Sequence, residues 1–392
     1  MLHPATCWAQ QVPDQLDPVG GKATSDKAIS LQATYTADLN ADVIGGDRRG
    51  TAFLGKISAI ADADLDRLIG LRSVVAHASV IDIFGTGLSG SRVGNLAAVS
   101  GIEAEPALRL NQVWVQADLG KLARLRVGKF PAAQDFAVSD TAAFFINATF
   151  GWPVSFASDL PQGGPSWPLA APGLMIASTS SKRWKLSGAI FAGKPAGVDS
   201  VDPQRADRHG FGAFRFAGRP FVIIQATRTI GDAGAVKVGG WVHFNRFDAV
   251  DGLSREMSTN WSIYGVVDWR IAGSAESSRQ VSVFLRATLA PQDRNPVSLY
   301  FDAGIVLASP FKSRAGDSLG LAYANARLSG RLPAPRAESG EKVVEISYSA
   351  ALPRKVKVQP NLQLIFDPTD PRNFVRHAGT ATVVGLRISG SL

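Results

Sequence analysis

Three glycines in the sequence have the spacing of a cofactor site. Gly85, Gly87 and Gly90 match the glycine pattern of a dinucleotide-binding turn, and Glu105 lies where a ribose-binding acid would follow. Such a site needs a helix after the glycines and then a second parallel strand. The residues from Arg109 onward alternate between polar and apolar like another antiparallel strand. We therefore interpret the glycines as part of a flexible outer loop.

A second stretch has the residue types of a serine hydrolase. Residues 316–320 match G-x-S-x-G, and Asp367, Asp370 and His377 follow in the serine, acid, histidine order. A nucleophile elbow needs an apolar strand before the motif and a helix after the serine. Residues 310–315 have the composition of a turn instead. This is the best enzyme interpretation available, and we predict that the protein is not an enzyme.

Acidic residues in one further segment have the spacing at which a calcium loop begins. Asp62, Asp64 and Asp66 fit, but Arg67 and Ser73 occupy the positions that require Gly and Glu. The five histidines lie far apart and show no paired metal-binding spacing. We predict neither a metal nor a cofactor.

The composition is compatible with a chain that crosses a membrane through strands. No apolar run reaches the ~18 residues that a membrane helix needs. Strands of a barrel point every second side chain into water, so the mean hydropathy of a barrel stays near neutral, as it does here at +0.06. The net charge is +8, but no block of Lys and Arg occurs, and we predict no nucleic-acid partner. A single cysteine excludes an internal disulfide.

Strict alternation of polar and apolar residues is the strongest local pattern. From Ser30 to Val43 every second residue is apolar, over a length that suits a tilted strand crossing a bilayer. The pattern recurs in residues 281–289 and 357–366. Similar segments begin near Thr51, Ser73, Arg109, Leu122, Gly173, Lys182, Pro220, Ala235, Asn260, Val297, Asp317, Lys342 and Gly379.

These segments predict an all-β, antiparallel transmembrane barrel of about sixteen strands. A barrel with both termini in the periplasm has an even number of strands. We therefore assign the short segment Phe211 to Phe216 to a loop, and we predict one or two helical turns between Ala63 and Leu71.

Long connections recur at every second gap, as expected for outer loops that alternate with short periplasmic turns. They run from Phe84 to Leu108, from Pro131 to Pro172 and from Gly193 to Arg219. The second is about forty residues long, which in a compact protein indicates function or disorder. Its aromatic residues argue against disorder: they are Phe136, Phe144, Phe145, Phe150, Trp152, Phe156 and Trp167. We predict that this segment, the constriction loop, folds into the barrel and narrows the pore.

Several segments resemble the carbohydrate-selective porins of the OprB type. Residues 109–116 and 125–130 look like the fourth and fifth strands of that family, and residues 138–141, 147–153 and 168–173 are similar to its pore-constricting loop. Further similar segments are residues 239–248 and 291–296, and the similarity extends from about Leu31 to the end. One departure is the last residue, Leu392, where the family tends to carry an aromatic residue.

The resemblance implies a sixteen-stranded barrel in a Gram-negative outer membrane, through which glucose-like sugars diffuse passively. A general diffusion porin and a structural barrel without a sugar site are the alternatives. Expected partners are small carbohydrates and outer-membrane lipid, and the assembly is a monomer or a homotrimer. We also expect residues 1–29 to hold a signal-peptide remnant and a periplasmic segment, and residues 30–392 to form one barrel domain.

A sugar-selective pore needs aromatic surfaces and planar hydrogen-bonding groups at its wall, and the alternation supplies both on inward-facing positions. The expected pore-lining residues are Trp114, Gln116, Asp118, Arg124, Arg126, Trp241, His243, Asp268 and Arg286. In the constriction loop, the expected site residues are Asp140, Asn147, Trp152 and Trp167. Trp261 and Trp269 fall on the opposite face, where we expect them at the membrane interface.

Overall fold

Sixteen antiparallel strands close into one barrel within residues 27–333, 340–375 and 379–391, the part of the chain that the computed structural model describes. Each strand pairs with the strands before and after it along the barrel, and the first pairs with the last. Closure leaves no open strand edge, because every backbone hydrogen-bonding group of one strand faces a neighbouring strand. The predicted fold class and strand number are confirmed.

The strands are numbered β1 to β16 along the chain. Their bounds are β1 Ile29–Ile44, β2 Gly50–Asp64, β3 Val74–Gly85, β4 Ala107–Leu119, β5 Ala123–Phe130, β6 Ala171–Ser178, β7 Trp184–Phe191, β8 Phe221–Ile230, β9 Gly234–His243, β10 Asn260–Ala272, β11 Val281–Leu289, β12 Val297–Ala308, β13 Ser318–Leu328, β14 Gly340–Leu352, β15 Val356–Phe366 and β16 Thr380–Ser391. A small hairpin, Phe247–Asp248 with Glu256–Met257, lies between β9 and β10.

Short helices occupy the connections. In the described part of the chain four are α-helices: α1 Leu65–Ile69, α2 Ala148–Gly151, α3 Val154–Asp159 and α4 Pro203–Ala206. The others are the 3-10 turns Ala132–Gln134, Ala142–Phe144, Pro161–Gly163 and Gly212–Phe214 and the π-helical turn Ser89–Val93. Among the residues described, no helix is long and apolar enough to cross a membrane.

Two of these connections test predictions made from the sequence. Helix α1 forms in the predicted segment because the Asp64 side chain accepts hydrogen bonds from the backbone N–H groups of Asp66 and Arg67. It ends at Gly70, whose φ of 75° is the left-handed conformation that glycine adopts without strain. The segment Phe211 to Phe216 is a loop around a 3-10 turn, as predicted.

The alternation in β1 places its polar side chains on the inner face of the barrel and its apolar side chains on the outer face, as expected. Thr36, Asp38 and Asn40 are buried on the inner face, whereas Leu31 and Leu39 are exposed on the outer face. Apolar side chains on the outside of a membrane barrel face lipid. The connections also follow the predicted order, with short turns at one end of the barrel and the long segments 86–106, 131–170 and 192–220 at the other.

The loop that follows β3 contains Gly87 and Gly90 and is one of the long outer connections, as predicted, but it folds inward. Leu88, Val93 and Val99 in this loop are buried in an apolar cluster with side chains of the C-terminal strands. The Glu341 carboxylate on β14 accepts hydrogen bonds of 2.7 Å from the backbone N–H groups of residues 96 and 97. The apolar side chains and this buried acceptor hold the loop inside the barrel.

The motifs that suggested enzyme chemistry belong to the barrel. Gly85 ends β3, and the next strand, β4, is antiparallel to it, so the parallel pair that a dinucleotide site needs is absent from this described segment. Ser318 begins strand β13 rather than a helix. His377 lies outside the described residues.

Candidate functional site

The constriction loop, predicted from Pro131 to Pro172, comprises residues 131–170 because β6 begins at Ala171. One arginine anchors it to the inner wall. Arg286 on β11 pairs with Asp302 on β12, with 3.1 Å between Nε and Oδ1, and both side chains are 0% exposed. The same guanidinium donates hydrogen bonds of 2.8 Å to the backbone carbonyls of Ala137, Thr149 and Gly151. A guanidinium has several donors in one rigid plane, which allows one side chain to hold three points of a loop.

A glutamate on β14 holds the middle of the same loop. The Glu345 carboxylate accepts hydrogen bonds from the backbone N–H groups of Ile146, at 2.8 Å, and Asn147, at 2.9 Å. The Asn147 side chain in turn donates to Gln363 Oε1 on β15, at 3.0 Å. These groups are buried, so the loop cannot leave the wall without exposing unpaired polar atoms.

The start of the loop is fastened to β9 and β10. Asp268 accepts hydrogen bonds from the Ser139 hydroxyl, at 2.5 Å, and from the Thr141 backbone N–H, at 3.1 Å. Lys237 Nζ donates to the Val138 carbonyl, at 2.7 Å, and lies 3.8 Å from the Asp268 carboxylate. Asp268 therefore faces the lumen as predicted, and its contacts are with the loop.

The loop that follows β3 is fastened to the opposite part of the wall. Arg387 on β16 holds the Asp38 carboxylate on β1 with two hydrogen bonds of 2.7 Å. Ser100 in the loop donates to the same carboxylate, at 2.5 Å, and accepts from Arg387, at 3.1 Å. This cluster ties the junction between the first and last strands to the loop.

A cavity of about 330 Å³ lies between the two loops and the wall formed by β1, β2, β4 and β16. Lys56, Asn111, Trp152, Trp167 and Arg387 are among its lining residues. Lys56 Nζ is 5.0 Å from the centroid of the Trp167 ring, a cation–π contact. The cavity therefore presents aromatic rings beside charged and amide groups.

Trp167 is held in place by the loop that follows β3. Its indole N–H donates to the carbonyl of Glu103, at 3.2 Å. The Glu103 carboxylate accepts hydrogen bonds from the Ser89 hydroxyl, at 3.0 Å, and from the backbone N–H of Leu88, at 3.2 Å. Burial raises the pKa of this carboxyl to about 7, because the ionised form loses its hydration there.

A second group of interacting side chains forms where β3, β4 and β5 meet. Trp114 stacks on His77 with 4.7 Å between ring centroids, and the Arg126 guanidinium lies 4.6 Å from the Trp114 ring. Arg126 also donates to Gln116, at 3.1 Å, and pairs with Asp135 of the constriction loop, at 2.8 Å. Trp114 is thus enclosed between two side chains.

Arg124 and Asp118 continue this group toward the short-turn end. Their side chains form a hydrogen bond of 2.5 Å between Arg124 Nε and Asp118 Oδ1. Asp118 keeps 34% of its side chain exposed and Arg124 keeps 13%. The structure therefore brings together the five residues predicted on β4 and β5, and sugar contact by this group stays a prediction.

Among the residues predicted to line the pore, three are the most completely covered. Trp241 is 2% exposed and packs between Phe156 of the constriction loop and Phe221 on β8. His243 is 1% exposed, and its Nε2 lies 3.0 Å from the carbonyl of Gly193. Arg286 is fully buried beneath the constriction loop. All three face inward, but the loops fill the lumen in front of them, so we correct their assignment from solute contact to structural support.

Of the four residues predicted within the constriction loop, three line the cavity. They are Asn147, Trp152 and Trp167, and Asn147 also holds the loop to β15. Asp140 is exposed and is not part of the cavity lining. On the outer face, Trp261 is exposed toward the membrane side, as the alternation predicted.

The cavity also contains residues that the sequence pattern does not single out. Lys56, Asn111 and Arg387 come from β2, β4 and β16, and the two loops bring them to one cavity. Each lies at an inward position of its strand, so the alternation contained a signal for it. Alternation does not show which inward residues meet, because it carries no information about the neighbours across the lumen.

Comparison with known proteins gives consistent results. A family model described as carbohydrate-selective porin, OprB family, matches residues 48–392. Porin B of Pseudomonas aeruginosa is 20% identical over an alignment that covers 98% of this chain and 93% of Porin B. The family model spans β2 to β16 and both inward loops.

Solved structures share the fold. The high-pH structure of OprB from Pseudomonas putida superposes with a TM-score of 0.81 at 17% identity, covering 94% of this chain and 95% of that chain. The trimer form of OmpT from Vibrio cholerae superposes with a TM-score of 0.51 at 10% identity, covering 93% and 100%. At these identities the likeness shows a shared barrel fold.

Proposed function

Since this chain belongs to the carbohydrate-selective porins of the OprB family, we propose that it lets glucose-sized sugars diffuse passively through its barrel. It is a β-barrel porin of a Gram-negative outer membrane. Its family and its fold are those of a channel rather than an enzyme.

The cavity between the two loops is the observation that carries this proposal. A sugar is a neutral ring with C–H faces and a rim of hydroxyls, so it fits a site that combines aromatic surfaces with planar hydrogen-bonding groups. Trp152 and Trp167 supply the rings, and Asn111, Lys56 and Arg387 supply the polar groups. The volume of about 330 Å³ lies at the lower end of the ~300–1,000 Å³ that small-molecule sites occupy.

Polar groups at the cavity wall support a weak site for hydroxylated solutes. The Lys56, Asn111 and Arg387 side chains border the cavity. Water or a solute that carries hydroxyls can form hydrogen bonds with such groups. Each exchange of water for a sugar hydroxyl is nearly neutral in energy, and such weak binding is what a conducting pore requires.

Single-channel recording of the refolded protein in a planar bilayer tests the proposal. Glucose, maltose and a neutral non-sugar of similar size are titrated in turn. We expect glucose to reduce the ionic current in a saturable manner and the non-sugar to have no such effect. A steady current that all three solutes leave unchanged would indicate a general diffusion porin. Absence of conductance would indicate a structural barrel.

A matched pair of variants connects the current to the cavity. Trp167→Ala removes an aromatic wall of the cavity, whereas Trp261→Ala removes an indole of similar size from the outer face. We expect weaker sugar blockade in Trp167→Ala only. Equal loss in both variants would indicate an effect on the barrel as a whole and would contradict the assignment of the site.

A further inference from the structure

The outer face of strands β7 to β10 contains a depression among bulky apolar side chains. Gly188, Ile224, Gly240 and Ile263 are successive partners across these four strands, so two positions in the row have no side chain. The depression has a volume of about 920 Å³, within the ~300–1,000 Å³ of ligand sites. Leu186, Val222, Val238 and Trp261 are among the apolar residues around it.

The backbone does not require glycine at Gly188. A Cβ atom placed there would be 3.6 Å from Ile224 Cγ2, an ordinary van der Waals contact, and the residue does not have a positive φ. Gly240 is different, because a Cβ atom there would lie 2.8 Å from the carbonyl oxygen of Ser262. The absence of a side chain at Gly188 therefore keeps the depression open without being needed for the fold.

Positive charge borders the depression at the end with short turns. Arg228 is the sheet partner of Trp184. This pair lies two residues closer to the short turns than the pair Leu186 and Ala226, and the Arg228 guanidinium lies 4.9 Å from the Trp184 ring. Lys182 and Arg183 precede Trp184 in an exposed turn. Within residues 27–333, 340–375 and 379–391, no carboxylate forms an ion pair with Arg228. Short turns of such barrels lie on the periplasmic side.

We propose that this face binds one anionic phospholipid of the periplasmic leaflet, with an acyl chain across Gly188 and Gly240 and the phosphate at Arg228. Arg228 lies two residues before the end of β8, next to a short turn. This is where the head groups of the periplasmic leaflet are expected, and basic clusters at that depth attract anionic lipid. Trp184 beside Arg228 is in the position of an interfacial aromatic residue. The depression has room for a flexible acyl chain. Side chains at the positions of Gly188 and Gly240 would fill that room.

A second copy of the chain is a poorer occupant. Packing another barrel over this face would bury the exposed Arg228 against apolar side chains such as Leu186, and none of the described residues that line the depression is an Asp or a Glu that could neutralise the charge. Burial of an unpaired charge is strongly unfavourable. A phospholipid supplies both the apolar chain and the negative charge.

The proposal is tested on the full chain, purified in a neutral detergent and stripped of lipid. Native mass spectrometry measures binding of phosphatidylglycerol and of phosphatidylcholine with identical acyl chains. We expect one phosphatidylglycerol per chain, held about tenfold more tightly than phosphatidylcholine. Arg228→Ala should remove this preference, and Gly188→Leu should weaken binding of both lipids by filling the depression.

Two control variants make the same changes elsewhere on the barrel. Lys312→Ala removes an exposed cation from another short turn, and Ala59→Leu enlarges an exposed outer residue on β2. Both should bind lipid like the unmodified chain, and heat-dependent gel mobility confirms that every variant is folded. Equal binding of the two lipids by the unmodified chain would overturn the proposal. It would also be overturned if Gly188→Leu dissociated an oligomer and left lipid binding unchanged.

Discussion

Arg286 on β11 and Asp302 on β12 are direct partners across the sheet and lie fully buried beneath the constriction loop. The pair faces the lumen, where alternation predicts contact with solute. The structure uses it to hold three carbonyls of the loop instead. The position of the loop inside the barrel therefore depends on two charged residues that are fully buried beneath it.

The first prediction concerns this anchor. Arg286→Met leaves Asp302 buried without its partner and should destabilise the barrel by about 3–5 kcal/mol. We also expect a larger and noisier single-channel current, because the loop loses its main attachment. Replacing both residues, as Arg286→Met with Asp302→Leu, should restore part of the stability and leave the current noisy. Arg270→Ala, which removes an arginine bonded to a turn carbonyl, serves as the control. A quiet current of normal size in Arg286→Met would exclude the anchoring role.

The second prediction concerns the contact between β13 and the loop. A Cβ atom at Gly320 would lie 2.5 Å from Phe144 Cε1 and 2.9 Å from Phe145 Cζ. Gly320→Val should therefore displace both rings and lower stability by about 1–3 kcal/mol, the usual effect of overpacking. Thermal unfolding followed by gel mobility measures the change, and Ala303→Val on the outer face of β12 is the control. Equal unfolding temperatures for the two variants would show that the loop does not press on β13.

The third prediction concerns sugar affinity. Trp167→Ala removes the ring beneath Lys56 and should raise the glucose concentration for half-maximal blockade about fivefold, equivalent to about 1 kcal/mol. Trp167→Phe keeps an aromatic face and should have a smaller effect. If Trp167→Ala enlarges the current while half-maximal blockade stays at the same glucose concentration, the ring shapes the pore without contacting sugar.

The fourth prediction concerns ion selectivity. Arg124 and Asp118 form a partly exposed ion pair, so removing either charge leaves the other facing the lumen. Arg124→Gln should shift the pore toward cations, and Asp118→Asn should shift it toward anions, each by a permeability ratio on the order of twofold. The zero-current potential in a KCl gradient measures both changes. Shifts of the same sign in the two variants would show that this pair does not border the ion path.

The fifth prediction concerns pH. Glu103 has its ordinary pKa near 4.5 in the unfolded chain and a pKa of about 7 in the folded loop, because burial disfavours its ionised form. The folded chain therefore binds this proton more tightly, and the stabilisation is complete below pH 4.5 and lost as pH rises through 7. Glu103→Gln should remove this part of the pH dependence of the unfolding temperature. Glu105→Gln, at an exposed neighbour, should retain it. Identical pH profiles for the unmodified chain and Glu103→Gln would contradict the assignment.

Local pattern was sufficient to predict the barrel. Strand residues alternate between two faces with a period of two, so the inner and outer sides of β1 and β10 could be assigned from Thr36, Asp38 and Trp261 alone. The even strand number placed Phe211 to Phe216 in a loop, and the length of the connections distinguished the two ends. These are short-range properties, and the structure confirms them.

The candidate site depended on long-range contacts that a local pattern does not contain. Alternation marked Trp241, His243 and Arg286 as inward but could not show that the loops cover them. It also could not show that Lys56 would meet Trp167, which lies on a loop more than a hundred positions later in the chain. The side-chain period determines which face a residue occupies, whereas the fold of the loops inside the barrel determines which of those inward residues reach water.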